Sequence, residues 1–376
     1  MNRKLAPSNM PNLSHAKPPR AATLVDVGRM AGVSAMAASA VLNGARTSSR
    51  ISDETRLRIL EAASKLRYRP NATARALVQR RMNTIGVASA NWEGELNSYA
   101  LEVVTGILAA SAQHDQSTTI FTLHNWGRDT ARVHGWCDGR VDGMILLAPV
   151  LTREAFKLLP PHTPFVTLHA NQLLPHIVNV ESDEERGAYD MVRYLISQGH
   201  RRIMHITGDR GLTGAERRIV GYKRALASAR IPFSNTLLLS SSFTSSASRG
   251  VVRNWMKRHV GLPLPQAIFC ANDGIAIACM ELFAEVGLRV PDDISICGFD
   301  DTLAARTTVP QLTTMRQPLR DMGARAVEVL LKLIRRHDEG GKAPELTNPM
   351  VFPVELMCRA SVSRPPLAVR LMPAIP

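Results

Sequence analysis

Between Gly32 and Asn43 the chain sets Ser34, Ala35, Met36, Ala37 and Ser39 on what reads as the first turns of a short helix. A helix laid in the major groove of DNA meets base edges with its N-terminal residues. Alanine and methionine there permit close approach and apolar contact with thymine methyls, and only Ser39 brings a hydrogen-bonding side chain. Arg50, Ser52, Arg56 and Tyr68 are placed to bind phosphates, which fixes register without reading sequence. Charge points the same way. Residues 1–81 carry 15 Lys and Arg against four Asp and Glu, whereas the whole 376-residue chain has a formal net charge of +14. A basic head on a nearly neutral body is the footprint of a polyanion binder.

Downstream comes Tyr68-Arg69-Pro70-Asn71, followed by residues 72–77. Pro70 disfavours helix at Arg69 and can itself start one. A helix of about six residues is unstable alone in water, so this segment is expected to be helical only when something holds it. Leu77 is an apolar residue in a polar tether, suited to wedging a base step in the minor groove. Thr23, Asn43, Asn71 and Ala74 complete the set expected to face DNA.

The elements that must position these residues are legible in the spacing. Thr23 is an N-cap with Asp26 three residues on, and Leu24, Val27, Gly28 and Ala31 share one helical face. Gly32 supplies a tight turn, Ser34 caps a second helix over 35–43, and Asn43-Gly44 ends it. Ser52 caps a third helix, in which Leu57, Leu60, Leu66 and the intervening alanines are expected to supply apolar contacts. The Pro-rich residues 1–21 read as a disordered leader, 22–69 as the helix-turn-helix domain, and 70–82 as hinge helix and linker.

Beyond Thr84 short apolar runs alternate with amphipathic stretches. Strands are predicted at 84–90, 118–123, 144–148, 165–168, 177–180, 202–206, 267–270 and 294–298. Helices are predicted near 99–113, 184–197, 215–230, 248–259 and 273–287. Continuous apolar strands separated by helices predict parallel sheets covered on both faces. The length of 83–376 predicts two α/β lobes, the N-lobe from about 83–180 plus 313–345 and the C-lobe from about 181–312 plus 346–362. Ligands of such folds bind beyond the carboxyl ends of the strands. No apolar run approaches the roughly 18 residues of a membrane span. The five scattered cysteines suit a reducing cytoplasm, with no metal site and no cofactor expected. No G-x-x-x-x-G-K-[ST] loop, G-x-S-x-G elbow or metal-spaced histidine pair argues for an enzyme.

The string T-L-V-D-V…A-G-V-S…S…V-L-N-G…S-D-E-T-R…Y-R-P-N…A…L resembles the lactose-repressor/galactose-repressor family of bacterial transcription regulators. So do V-D-G-M-I-L-L, Q-G-H-R-R-I, R-R-I-V-G-Y-K-R-A-L, C-A-N-D-G-I-A, V-P-D-D-I-S-I-C-G-F-D-D-T and L-T-T-M-R-Q-P, so the resemblance runs on to Arg359. It implies a helix-turn-helix head with a hinge helix, followed by a two-lobed sensor like the periplasmic sugar-binding proteins. It further implies a homodimer on operator DNA, most simply a repressor, controlled by a small effector such as a sugar or sugar derivative. Arg218 matches the family arginine that grips the ligand, and Asp300 matches the acidic acceptor. Asn272 stands at a strand end, and Tyr99, Trp92 and Gln317 complete the expected effector set, with Trp126 and His124 as further ring candidates. Arg217 beside Arg218 allows an acidic or phosphorylated ligand. Without a C-terminal leucine heptad, a dimer is expected rather than a tetramer.

Three departures from the family pattern stand out. Ala37-Ala38-Ser39-Ala40 replaces Thr-Val-Ser-Arg, which shifts recognition toward the hinge and DNA shape. The loop after Gly44 is longer, with Arg46 and Arg50 in it. Gly28 stands where alanine is usual, so Gly28→Ala is expected to stabilise the head by up to about 1 kcal/mol if the backbone there is helical.

Overall fold

Thr23 does what its spacing predicts: in the computed structural model its hydroxyl accepts from the Asp26 amide while the Asp26 carboxylate accepts from the Thr23 amide. The structure describes residues 20–43, 51–69, 81–90, 97–341 and 349–374. Most of the expected leader, Arg46 and Arg50, the hinge residues Asn71, Ala74 and Leu77, and Trp92 lie outside the described residues. The chain divides into two units, Met1–Arg80 and Arg81–Pro376.

The head holds α1 (Leu24–Ala31), α2 (Ala35–Asn43) and α3 (Asp53–Lys65). Gly32 has φ +68°, a conformation that other residues adopt only at a cost, and the chain turns through 106° between α1 and α2. That angle is the helix-turn-helix crossing. Val27, Ala31, Ala38, Ile59, Ala62 and Ala63 form the core, with Leu24, Leu66 and Tyr68 packed against it. The expectation for α3 is corrected here. Leu57 and Leu60 are 61% and 46% exposed, and the inward face runs through Ile59, Ala62 and Ala63. Both faces carry apolar residues at helical spacing, so only the position of α1 and α2 decides which is buried.

Gly28 also overturns an expectation. It is helical, yet a Cβ there would stand 2.8 Å from the Val33 carbonyl oxygen and 3.1 Å from the Ala35 amide nitrogen. Those are backbone atoms of the turn itself, and they cannot swing away as a flexible side chain could. The cost of displacing the turn outweighs the helix propensity gained, so Gly28→Ala is expected to lower the melting temperature of the head. A raised melting temperature by near-ultraviolet circular dichroism would overturn this.

In the larger unit the first sheet contains β1 (Thr84–Ala90), β2 (Ser117–Leu123), β3 (Gly143–Leu147), β4 (Phe165–Leu168) and β5 (Val178–Ser182). Its sixth strand is β11 (Met350–Phe352), and the order is β11-β5-β4-β3-β1-β2, all parallel. The second sheet contains β6 (Ile203–Ile206), β7 (Leu238–Leu239), β8 (Ala267–Cys270), β9 (Ser295–Asp300), β10 (Thr313–Arg316) and β12 (Glu355–Met357). Its order is β12-β10-β9-β8-β6-β7, with only β12 antiparallel.

The chain therefore crosses between lobes three times, after β5, after β10 and between β11 and β12. This corrects the predicted lobe boundaries. Thr313–Arg316 pairs with β9 in the C-lobe sheet, and Met350–Phe352 pairs with β5 in the N-lobe sheet. Segments of three or four residues carry no periodicity that could say which sheet receives them.

Helices α4 (Ser98–Gln113), α5 (Trp126–Trp136) and α6 (Arg153–Phe156) belong to the first lobe. The second lobe holds α7 (Glu184–Ser197), α8 (Thr213–Ser228), α9 (Ser245–Arg258), α10 (Asp273–Glu285) and α11 (Leu303–Thr307). The long α12 (Leu319–Asp338) returns to the first lobe and packs on α4 in a shared core. Gly106 and Gly323 let the two backbones touch, because a Cβ at either would strike the other helix's main chain. Met372 is buried in the C-lobe core and its amide bonds to Leu262, so the C-terminal segment straps that lobe. No single helix among the described residues is long and apolar enough to cross a membrane.

Candidate functional site

On the head, α2 offers the surface that sequence spacing assigned to DNA. Ser34 caps the helix, its Oγ accepting from the Ala37 amide at 3.1 Å. Met36 projects with 76% exposure, flanked by half-buried Ala35 and Ala37, while Ala38 faces the core. Ser39 is less free than expected: its Oγ accepts from Asn43 Nδ2 at 3.2 Å. Ser52 caps α3, its Oγ accepting from the Thr55 amide at 3.3 Å, with Arg56 and Arg58 exposed on the same helix. Tyr68 is half-buried against the head core, and its amide bonds to Ala63 at 2.8 Å. The helix-turn-helix presents a smooth, shallow ridge with cations around it rather than a row of hydrogen-bonding side chains.

The second site is a cleft between the two lobes of the larger unit, a cavity of about 150 Å³. Tyr99, Arg218, Asn272 and Asp300 all line it, as the sequence predicted. Arg218 rises from α8 and is buried; its Nη2 donates to Glu184 Oε1 at 3.0 Å and its Nη1 donates to the Ala271 carbonyl. The guanidinium lies over the Phe299 ring at 4.0 Å, with the Phe243 ring at 5.6 Å. Among the described residues its Nε–H has no partner, and the buried hydroxyl of Thr244, also in the cleft, has none either. A buried donor without a partner is costly, and a bound ligand would satisfy it.

Asp300 closes β9 with φ +121° and is 5% exposed. Burial pushes its carboxyl well above the usual carboxylate range, against the pull of Arg218. Its Oδ1 accepts from Gln317 Nε2 at 2.6 Å. Gln317 itself is buried behind Asp300 and does not line the cleft, so its expected direct contact with effector is replaced by a contact with Asp300. Asn272 is largely occupied as well: Oδ1 caps α10 through the Ile275 amide at 2.8 Å, and Nδ2 donates to the Phe243 carbonyl at 3.0 Å. It holds the Phe243 segment in place, together with Asp209, which accepts from the Phe243 amide at 3.1 Å.

Arg217 is not a free cation. It pairs with buried Glu181 at 2.9 Å, and Glu181 also accepts from Asn179 at 2.7 Å. Both cleft arginines are thus paired, Arg217 with Glu181 and Arg218 with Glu184, and Asp209 lines the same cleft, which opposes the acidic or phosphorylated ligand that adjacent arginines suggested. Trp126 is 2% exposed in the N-lobe core and His124 is exposed outside the cleft, so neither provides a ring for stacking there.

Sequence reasoning missed His169, Glu184 and Phe243. His169 follows β4 with φ +48°; burial drives its imidazole down to about 4, so it is neutral at physiological pH. Position after a predicted strand was the available signal for His169. Glu184 and Phe243 gave none. Asp301, beside Asp300, points the other way and is structural, binding Arg306, Arg316 and Arg359. Burial alone would raise its carboxyl, but hydrogen bonds from Arg316 and Arg359 bring it below the usual range. Among the described residues no group of His, Cys, Asp and Glu is arranged to hold a metal ion.

The chain is similar to known proteins in both of its units. Residues 23–71 match the model for bacterial regulatory proteins of the lacI family, and residues 192–362 match a periplasmic binding protein-like domain. The HTH-type transcriptional repressor PurR of Vibrio vulnificus (strain CMCP6) is 32% identical over 330 residues, covering 85% of this chain and 94% of that protein. The HTH-type transcriptional regulator DegA of Bacillus subtilis (strain 168) is 29% identical, covering 91% and 98%. Among solved structures, the lac repressor dimer bound to operator and the anti-inducer ONPF aligns with a TM-score of 0.78 at 26% identity, covering 92% of this chain and all of that one. The complex of the transcriptional regulator CelR with cellobiose aligns with a TM-score of 0.66 at 26% identity, covering 90% and 99%.

Proposed function

The chain belongs to the lacI family of bacterial regulatory proteins, and from that premise we propose that it is an operator-specific repressor, a homodimer whose DNA affinity is set by a sugar or sugar derivative bound between its lobes. The family consists of transcriptional regulators rather than enzymes. The observation that carries the effector reading is the buried Arg218 guanidinium, which lines the cleft, lies over the core ring of Phe299, and has an Nε–H with no partner among the described residues. With Nη1 and Nη2 each holding a protein acceptor, the Nε–H and the neighbouring carboxyl groups offer a donor and several acceptors, a set that suits the hydroxyls of a neutral ring. Anionic sugars are disfavoured by the carboxylates that surround the two arginines. On the DNA side, Ala35, Met36, Ala37 and Ser39 read a groove at close range, and phosphates are held by Ser52, Arg56 and the helix N-termini. Such a surface specifies bases weakly, so the hinge and DNA deformability supply the remaining discrimination.

The test is selection from a duplex library at physiological salt, followed by thermal-shift titration with neutral sugars and sugar phosphates. The expected result is a short near-palindrome with a central pyrimidine–purine step, its binding lost in Leu77→Ala, and stabilisation by a neutral sugar. Salt-sensitive binding without sequence preference would overturn the DNA reading; stabilisation only by sugar phosphates would overturn the effector class.

A further inference from the structure

Ser182 closes β5 and Gln317 follows β10, so both stand where the chain passes from one lobe to the other. Their side chains meet: the Ser182 hydroxyl donates to Gln317 Oε1, and Gln317 Nε2 donates to Asp300 Oδ1 at 2.6 Å. On its other side the Ser182 amide donates to His169 Nε2 at 3.2 Å. The Ser182 hydroxyl oxygen also stands 3.2 Å from His169 Nε2, and on the other side of the ring Nδ1 is hydrogen-bonded to the Tyr99 hydroxyl at 2.6 Å. Tyr99 itself lines the cleft. The result is a continuous hydrogen-bonded chain from β9 of the C-lobe, through two crossovers, to α4 of the N-lobe.

We propose that Gln317 is a positioning residue that links Asp300 in one lobe to Ser182, His169 and Tyr99 in the other, so that the angle between the lobes and the shape of the cleft are set together. This rests on reading the cleft as the effector site. Gln317 and Ser182 are 3% and 1% exposed, so water cannot replace a broken link. A rotation of the lobes must therefore carry the chain with it or break it at one place. A chain of this kind favours discrete lobe arrangements over a continuum.

The experiment measures the distance between nitroxide labels at Gln113→Cys on α4 and Lys257→Cys on α9, in full-length protein with Cys358→Ser, since the other native cysteines are buried. Labelled chains are diluted in excess unlabelled protein, so that each assembly carries one pair. The unaltered chain is expected to give one narrow distance distribution. Gln317→Met, which keeps the volume and removes both bonds, should at least double its width, and Ser182→Ala should do the same. The double variant should be no broader than either single variant, because both cut one chain. Distributions of unaltered width in the two single variants, or broadening that adds in the double, would overturn the proposal. Should Gln317→Met fail to fold, Ser182→Ala alone decides. The measurement needs no effector, so an unsuccessful sugar panel would sink the effector reading and leave this result standing.

Discussion

Arg218→Ala is expected to abolish the effector response and to destabilise the sensor by about 3–5 kcal/mol, the range for breaking a buried ion pair on one side only. The side chains of Arg218 and Glu184 are 5% and 6% exposed, so removing the guanidinium leaves a buried carboxylate without its counter-charge. The Ala271 carbonyl loses its donor in the same step. Adding Glu184→Gln to Arg218→Ala should restore part of the stability, since a neutral amide costs less to bury than an ion, but none of the effector binding. Urea denaturation checks the first effect and isothermal titration with the sugar selected by thermal shift checks the second. Stability unchanged in the single variant would show that the pair contributes no net free energy. Retained sugar binding would remove Arg218 from the site.

The second large effect is acid sensitivity from the buried histidines. His205 in β6 is fully buried, stacked on Phe269 at 4.6 Å, with Nδ1 donating to the Phe269 carbonyl at 2.9 Å and Nε2 unpartnered. Burial lowers its imidazole, like that of His169, from the usual 6.5 to about 4. Between those values the unfolded chain binds a proton that the folded chain refuses. Stability from such a group is therefore complete above pH 6.5 and is lost as pH falls toward 4, amounting to about 3 kcal/mol for each histidine. Burial also pushes the Asp273 carboxyl up to about 7, and its contribution has the opposite sign, being lost as pH rises. The pH profile of the unaltered protein mixes these terms, but a difference between two chains isolates one of them. His205→Phe gives up the bond to the Phe269 carbonyl at every pH, about 1 kcal/mol, and escapes the acid penalty. The variant should be the less stable chain at pH 7.5 and the more stable one near pH 4.5. Parallel denaturation midpoints across that range would show that His205 titrates normally.

The head was the part most open to reading from spacing. Thr23 with Asp26, Gly32 and Ser34 are each committed to their role by local chemistry, since caps and left-handed turns act within a few residues. Strands β1, β4 and β8 were equally plain, because a strand buried on both faces is built from apolar and small uncharged residues. Leu57 and Leu60 show the limit: their helix was predicted, but which face turns inward depends on where two other helices lie. Gly28 shows it again. Its helical state was legible and its near-contact with Val33 was not, so the predicted sign of an alanine substitution reversed.

The same boundary runs through the cleft. Asn272 and Asp300 could be named because each lies at a strand end, where the α/β fold gathers polar groups, and Arg218 because it matches the ligand-gripping arginine of the family the sequence resembles. What each does there was settled by neighbours far away in the chain. Asn272 is spent on a helix cap and on Phe243, Arg217 is neutralised by Glu181, and Gln317 stands behind Asp300 instead of in the cleft. By itself the sequence determined the two-part architecture and the helix-turn-helix, which rest on local pattern and charge, and the resemblance to a known family singled out the cleft arginine. Only the tertiary structure decided the three crossovers, the pairing of the cleft's charges and the chain from Asp300 to Tyr99. Those depend on which distant groups are brought within hydrogen-bonding reach, and short segments such as Thr313–Arg316 and Met350–Phe352 carry no local signal of where they will pair.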